Sequence, residues 1–368
     1  MKKVLLLTHE YYPFKGGIAR YVYNLFKSFN ADEYLVATDH PEVQNSANII
    51  HLRLKYGWSR PTWLPAFFKI FFMVRKHNIG LIFTPNILPL GSIAYFFHKF
   101  LGIPYVLSLH GLDIRLALNH KPDLSKNILA QSAYVLVNSQ STTQTVEALS
   151  FLGGKIKLYY PTVDLPGDYD PEKLGGLRKK YGLADDDKVL LTVARLNKRK
   201  GQDLVIKALA DIGQPNLYYF IVGQGDFKTE LLRLVRYYDL QNRVFFLDNV
   251  SDEQLIYYYK LADIFVLPNR HDDLEVEGLG IVFLEAAWAR LPIIAAASGG
   301  VNEVWQDKQD ALLIASENIA QLSEAIRLLL HNPQQAERLA TAAWYKYQAW
   351  PRSEEQSKKF KELLSSIL

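Results

Sequence analysis

Short apolar runs recur along this chain between longer polar or amphipathic stretches, and that alternation restricts it to an α/β architecture. In the first half the runs are Val4–Thr8, Tyr34–Thr38, Ile49–Leu54, Leu81–Thr84, Tyr105–Leu109, Tyr134–Asn138 and Ile156–Tyr160. In the second half they are Val189–Val193, Tyr218–Val222, Val244–Leu247, Ile264–Leu267, Ile293–Ala296 and Leu312–Ile314. The spacing leaves room for a crossover helix after each strand, so each series predicts a parallel sheet covered on both faces. Between the two series lies Pro161-Thr-Val-Asp-Leu-Pro-Gly-Asp-Tyr-Asp-Pro171, rich in turn formers and best read as a linker. A chain of 368 residues exceeds one ordinary core, so two domains are expected, over residues 1–165 and 166–345.

Composition excludes several classes. There are no cysteines, hence no disulfide, thiolate metal site or cysteine nucleophile, which is compatible with the cytosol. The start, Met1-Lys-Lys-Val-Leu-Leu-Leu-Thr8, is basic and then apolar. Its apolar run is far shorter than the roughly 7–15 residues of a secretory signal and reads as the first buried strand. No stretch reaches the roughly 18 uncharged apolar residues of a membrane span. The net charge of +4 is uneven: residues 1–165 hold 17 Lys/Arg against 9 Asp/Glu, and no acid occurs from Val43 to Leu112. Such asymmetry points to an anionic partner for the first half. In Lys55-Tyr-Gly-Trp-Ser-Arg-Pro-Thr-Trp-Leu-Pro-Ala-Phe-Phe-Lys-Ile-Phe-Phe-Met-Val-Arg-Lys76, aromatics interleave with cations. That pattern suits an anionic membrane surface as well as it suits an internal helix with a basic outer end. No nucleic-acid-binding motif accompanies the positive charge, and none is expected to bind.

Candidate chemistry gathers where strands end. Glu277-Gly-Leu-Gly-Ile-Val-Phe-Leu-Glu285 places two carboxylates around two glycines, between the strand that stops at Pro268 and a helix-forming stretch. Gly278 and Gly280 would let backbone amides, with those of Leu279 and Ile281, approach a ligand at a helix start. Glu277 and Glu285 would reach one pocket from the loop and from about two turns into the helix. Arg195 and Lys200 lie five positions apart after another strand, with Lys198 and Arg199 as adjacent alternatives. Two such cations can converge on a diphosphate, one by a bidentate fork and the other as a point charge. Gly16-Gly17 closes the loop after the first strand and lacks the spacing of a dinucleotide fingerprint, so a nicotinamide oxidoreductase has little support. His110 follows the strand that ends at Leu109, with Asp113 and Arg115 just beyond, able either to contact an acceptor or to hold the loop. Asp168-Tyr-Asp170 has the form of a metal-binding Asp-x-Asp but stands in the linker, with no strand end beside it. No metal ion and no other cofactor is expected.

These motifs in this order resemble the retaining GT-B glycosyltransferases of family GT4, and the resemblance covers nearly the whole chain. Leu274-Glu-Val-Glu-Gly-Leu-Gly-Ile-Val-Phe-Leu-Glu285 is particularly similar to bacterial members, including mannosyltransferases that act on phosphatidylinositol lipids. The resemblance implies two Rossmann-like domains facing across a cleft, the first for the acceptor and the second for a UDP- or GDP-sugar donor. It also implies that residues 346–368 form a helix crossing back to the first domain. Arg195, Lys200, Glu277 and His110 would be catalytic; Lys200 matches the family lysine because it precedes Gly201. Gly16, Gly17, Gly223, Asn249, Val250, Gly278, Leu279, Gly280, Ile281 and Glu285 would bind the donor. Gly299-Gly300-Val-Asn-Glu303 matches a family turn whose glutamate reads as a helix-start charge. Asp310-Ala311 departs from the family, where glycine often precedes the last strand. The implied activity is hexose transfer to a glycan or lipid-linked acceptor in polysaccharide or glycolipid assembly at the cytoplasmic membrane face. Two rivals remain at this level: a nucleotide-sugar epimerase of the same fold and a non-catalytic sugar or lipid binder.

Overall fold

The computed structural model describes residues 2–14, 16–41, 43, 46–165, 169–270 and 279–368. The chain divides into two compact units, Met1–Thr162 with Pro351–Leu368, and Val163–Trp350.

In the first unit the apolar runs become β1 (Lys3–Thr8), β2 (Tyr34–Thr38), β3 (Ile49–His51), β4 (Ile79–Thr84), β5 (Tyr105–Leu109), β6 (Tyr134–Val137) and β7 (Ile156–Leu158). Among the described residues they form one parallel sheet in the order β3-β2-β1-β4-β5-β6-β7. Connecting helices are α1 (Gly17–Leu25), α2 (Leu64–Lys76), α3 (Leu90–Leu101), α4 (Leu112–His120), α5 (Pro122–Gln131) and α6 (Gln140–Glu147). Every residue of β4 is buried, as expected for a central parallel strand with helices over both faces. Three strands are shorter than their runs suggest, β6 by the single residue Asn138. β3 stops at His51 because its pairing partner β2 stops at Thr38, opposite it. β7 stops at Leu158 because β6 ends at Val137, after which Asn138 leads into the Ser139 cap of α6.

The second unit repeats the plan. Its strands are β8 (Lys188–Val193), β9 (Leu217–Val222), β10 (Val244–Leu247), β11 (Ile264–Leu267), β12 (Ile293–Ala296) and β13 (Leu312–Ile314). They form a parallel sheet in the order β10-β9-β8-β11-β12-β13. Its helices are α7 (Pro171–Lys180), α8 (Gln202–Ile212), α9 (Lys228–Tyr237), α10 (Asp252–Leu261), α11 (Ile281–Trp288), α12 (Val301–Val304), α13 (Ile319–His331) and α14 (Pro333–Ala349). In each sheet the winding reverses once, between β1 and β4 and between β8 and β11, and open parallel sheets bind ligands at the carboxyl side of such a reversal. Asp310, the departure from the family pattern, accepts a hydrogen bond from the amide of Gln306 at 2.8 Å and pairs with Lys346 of α14. A carboxylate there ties the approach to β13 to the helix that covers it.

Pro351 cannot continue α14, and the chain resumes as α15 (Ser353–Ser365) on the first unit. Phe360 is fully buried against Phe26 and Phe83, with ring centroids 5.4 and 5.2 Å apart. The Ser357 hydroxyl donates to the Leu25 carbonyl and accepts from the Ser28 amide, each at 2.8 Å, so the docked helix satisfies the frayed end of α1. At the edge, Lys361 pairs with Glu33 at 2.6 Å.

Candidate active site

In the second unit, the turn after β8 carries Arg195 and Lys200, and its shape is over-determined. Asn197 caps a single 3-10 turn over Lys198–Lys200 by accepting the Lys200 amide at 3.2 Å. Gln202, fully buried, donates to the Arg195 carbonyl at 3.0 Å. Gly201 has φ of 72°, and a Cβ there would lie 2.2 Å from the Pro268 carbonyl oxygen, so the turn presses backbone to backbone against the end of β11. From that end Arg270 reaches back. Its amide donates to the Arg199 carbonyl at 2.7 Å and its guanidinium to the Lys198 carbonyl. The same guanidinium grips Asp203 with two parallel bonds of 2.8 and 2.7 Å and Glu317 with a third of 2.7 Å. Arg195 is exposed and Lys200 buried, so the two cations of the turn stand at different depths.

On the other side of the reversal, α11 starts at Ile281 after Gly280, with Leu279 buried beneath it. Glu285 therefore stands in the second turn, one turn nearer the helix start than its sequence suggested. It is 2 % exposed and accepts a hydrogen bond from Tyr259 of α10 at 2.7 Å. Glu277 and Gly278 lie outside the described residues, as does Asp168. Asp170 is the cap of α7, accepting the Glu172 amide at 2.9 Å.

Gly223 and Asn249 follow β9 and β10 on the same edge, but with different uses from one another. The Gly223 amide is committed to the Leu247 carbonyl at 3.1 Å, and a Cβ would lie 2.1 Å from the Ala194 carbonyl oxygen. This glycine is thus required to seat the Arg195 turn against β9, and its own N–H is not open to a ligand. Asn249 accepts from Gln224 at 2.6 Å, which joins the two loops, and Val250 follows it on the same connection. Glu303 lies in the first turn of the short α12.

In the first unit, Gly16 precedes α1 and Gly17 opens it, with open space where a Cβ on Gly17 would sit. One turn along α1, Tyr21 meets the His110 ring edge-on, with centroids 5.2 Å apart and planes at 88°. Gly16, Gly17 and His110 are therefore brought to one neighbourhood of the sheet edge. Burial pushes the His110 imidazole down to about 4, so it is neutral around pH 7. Asp113 accepts the His110 amide at 2.9 Å, which assigns it to holding the loop; burial pushes its carboxyl up to about 6, against the pull of nearby backbone amides. Arg115 is exposed on α4.

Three neighbours of the candidate site residues were not singled out in the sequence: Tyr259, Arg270 with Asp203, and Asn138. Arg270 and Asn138 do share one cue, a polar residue within three positions of a buried strand's carboxyl end. Tyr259 sits mid-helix and gives none.

Comparison with known proteins accords with this arrangement. Residues 15–166 match the family model described as Glycosyltransferase Family 4, and residues 176–344 match that described as Glycosyl transferases group 1. A GDP-mannose-dependent monoacylated alpha-(1-6)-phosphatidylinositol monomannoside mannosyltransferase of Corynebacterium glutamicum is 28% identical over 351 residues, covering 90% of each chain. The GDP-mannose-dependent alpha-(1-6)-phosphatidylinositol monomannoside mannosyltransferase of Mycolicibacterium smegmatis is 26% identical, covering 92% of each. Among solved structures, Anabaena HepE in complex with UDP and glucose superposes with a TM-score of 0.82 at 21% identity over 100% of both chains. The sucrose-phosphate synthase of Thermosynechococcus elongatus gives 0.80 at 23%, covering 100% of this chain and 99% of that one. Two parallel Rossmann-like units in one chain are the fold of the GT-B glycosyltransferases, and the protein is an enzyme of that class. It belongs to glycosyltransferase family 4.

Proposed function

We propose that this enzyme moves a hexose from a nucleoside-diphosphate sugar to a hydroxyl of a lipid-linked or glycan acceptor, with retention at the anomeric carbon and without a metal ion. The observation that carries the reading is the Arg195–Lys200 turn, held from several sides at the reversal of the second sheet. A turn so fixed presents cations that need not reorganise as charge builds on a leaving diphosphate. In this scheme the acceptor oxygen bonds to the anomeric carbon on the face from which the phosphate oxygen departs. That departing oxygen takes the acceptor proton, while Arg195 and Lys200 stabilise the charge. Glu285, backed by Tyr259, would accept hydrogen bonds from the ribose hydroxyls. Glu277 would orient the sugar, and Gly16, Gly17 and neutral His110 would line the acceptor-side unit toward the donor.

GDP-mannose is the first donor to test, because the curated relatives described above are named as dependent on it; UDP-glucose is second, from the ligands of the Anabaena neighbour. A lipid-borne acceptor fits a feature of the first unit. Leu64, Phe68 and Phe72 stand four apart on one exposed stripe of α2, beside exposed Lys69, Arg75 and Lys76, and Trp58 is exposed just before them. Apolar rings rimmed by cations, with no acid between Val43 and Leu112, match an anionic lipid surface. Among the described residues no helix is long and apolar enough to cross a membrane.

The test is calorimetric titration of GDP and UDP into the wild type and into Glu285→Gln. One nucleotide should bind and lose affinity by at least tenfold in the variant. Equal affinity in both proteins would overturn the ribose role of Glu285.

A further inference from the structure

His110 is neutral, so one ring nitrogen carries a hydrogen and the other a lone pair, and what the ring can offer a ligand depends on which. The surrounding heavy atoms decide it. Asn138, the residue after the neighbouring strand β6, places Nδ2 3.3 Å from His110 Nδ1. Its Oδ1 lies 3.1 Å from Thr142 Oγ1, and Thr142 Oγ1 lies 2.8 Å from Ser139 Oγ. Ser139 Oγ also accepts the Thr142 amide at 3.0 Å, as the cap of α6. Ser139 and Thr142 are 2 % and 5 % exposed, so each hydroxyl hydrogen needs a protein acceptor.

One direction of the chain satisfies both hydroxyls. Ser139 O–H donates to Thr142 Oγ1, Thr142 O–H donates to Asn138 Oδ1, and Asn138 N–H donates to His110 Nδ1. Reversed, with the Asn138 amide turned over, the Ser139 hydrogen would face Thr142 O–H and have no acceptor. Leaving a buried hydroxyl unmet is the costlier state. With Nδ1 accepting, the single hydrogen of the neutral ring lies on Nε2. There the Ser108 hydroxyl oxygen stands at 3.5 Å, too long to hold the hydrogen firmly.

We propose that Ser139, Thr142 and Asn138 form a one-way hydrogen-bond relay that fixes His110 as the Nε2–H tautomer. The ring then offers a neutral N–H donor, not a lone pair, to a phosphate or sugar oxygen of the substrate. Asn138 is the positioning residue, with Thr142 fixing the orientation of its amide. This rests on the reading of His110 as a donor-side group. A neutral donor can follow an oxygen as it gains negative charge in the transition state, whereas a general base at this position would need the opposite tautomer. Burial of the imidazole, which keeps it unprotonated, agrees with the geometry.

The test is nitrogen NMR of the full chain with ¹⁵N-labelled histidine, reading ring nitrogens through their two-bond couplings to ring protons. The chain has nine histidines, so the His110 pattern is taken as the one missing in His110→Gln. The wild type should show a pyridine-like Nδ1 and a pyrrole-like Nε2. Asn138→Asp, whose carboxylate can only accept, should move the hydrogen to Nδ1 and lower kcat by roughly 10²-fold with little change in donor KM. Thr142→Val should mix the tautomers. A pyrrole-like Nδ1 in the wild type, or an unchanged pattern in Asn138→Asp, would overturn the relay. His110→Gln, whose amide N–H can stand near Nε2, should keep more activity than His110→Ala. If both variants match the wild type while the tautomer pattern holds, the relay stands and the role of His110 toward the donor falls.

Discussion

Replacing Arg270 with alanine should loosen the basic turn after β8, and its contacts give the size of the effect. Asp203, its main partner, has a side chain 7 % exposed, and Arg270 itself is 12 % exposed, so the pair is largely desolvated. Removing one member of such a pair strands the other, which costs about 3–5 kcal/mol. Lys207 lies 3.9 Å from the same carboxylate and takes up part of the charge, so about 3 kcal/mol is the better figure. The Glu317 contact adds little, because that side chain is 62 % exposed and exposed pairs contribute about 0–1 kcal/mol. Arg270→Lys keeps the charge but not the fork and should fall between. The assay is urea unfolding of Arg270→Ala, Arg270→Lys and Glu317→Ala, following tryptophan fluorescence and allowing separate transitions for the two units. Turnover is measured alongside in native buffer. The ranking expected is Ala worst, Lys intermediate and Glu317→Ala near the wild type, with kcat falling more than donor KM rises. An Arg270→Ala cost under about 1 kcal/mol, or equal costs for Arg270→Ala and Glu317→Ala, would refute the desolvated-clamp reasoning.

Further outcomes follow from the same structure. Tyr259→Phe removes the hydroxyl that holds Glu285; a hydrogen bond to a charged group contributes about 1.5–3 kcal/mol, and nucleotide affinity measured by calorimetry should drop roughly tenfold with the fold intact. Asp113 holds its proton in the folded state up to about 6 against an ordinary 3.8, so its contribution to stability is present below pH 3.8 and is lost as pH rises through 6. Asp113→Asn should therefore unfold at higher temperature than the wild type at pH 8, and the gain should shrink by pH 4. Phe68→Ser with Phe72→Ser should abolish sedimentation with phosphatidylglycerol vesicles while leaving transfer to a water-soluble acceptor unchanged; retained sedimentation would remove α2 from the membrane reading.

Much of this was legible in the sequence because parallel strands buried on both faces are written as short continuous apolar runs. Val244–Leu247 and Ile264–Leu267 are strands with the bounds their sequences give. Ends failed where pairing, not composition, sets them: the apolar run continues to Leu54, but the ladder ends at His51 opposite the last residue of β2, and the Leu54 amide turns to the Asp39 side chain instead. The candidate site residues were placed at strand ends for the same reason, and Arg195 after β8 and His110 after β5 stand at the edge where open parallel sheets bind ligands. What the sequence could not show were contacts across the chain. Arg270 finds Asp203 from 67 residues away, Tyr259 finds Glu285 from 26, and Asn138 finds His110 from 28. Gly223 shows another limit: that a glycine seats one loop on another is hidden until the carbonyl it faces is known.

The most direct measurement of the central claim is donor turnover by the purified chain, with GDP-mannose, UDP-glucose and ADP-glucose each tested in EDTA, with and without a lipid acceptor extract. Nucleoside diphosphate release from one donor is expected, stimulated by acceptor, insensitive to EDTA, and lost in Lys200→Ala and Arg195→Ala. Release of a new nucleotide sugar, dependence on a divalent ion, or equal activity in those two variants would contradict it.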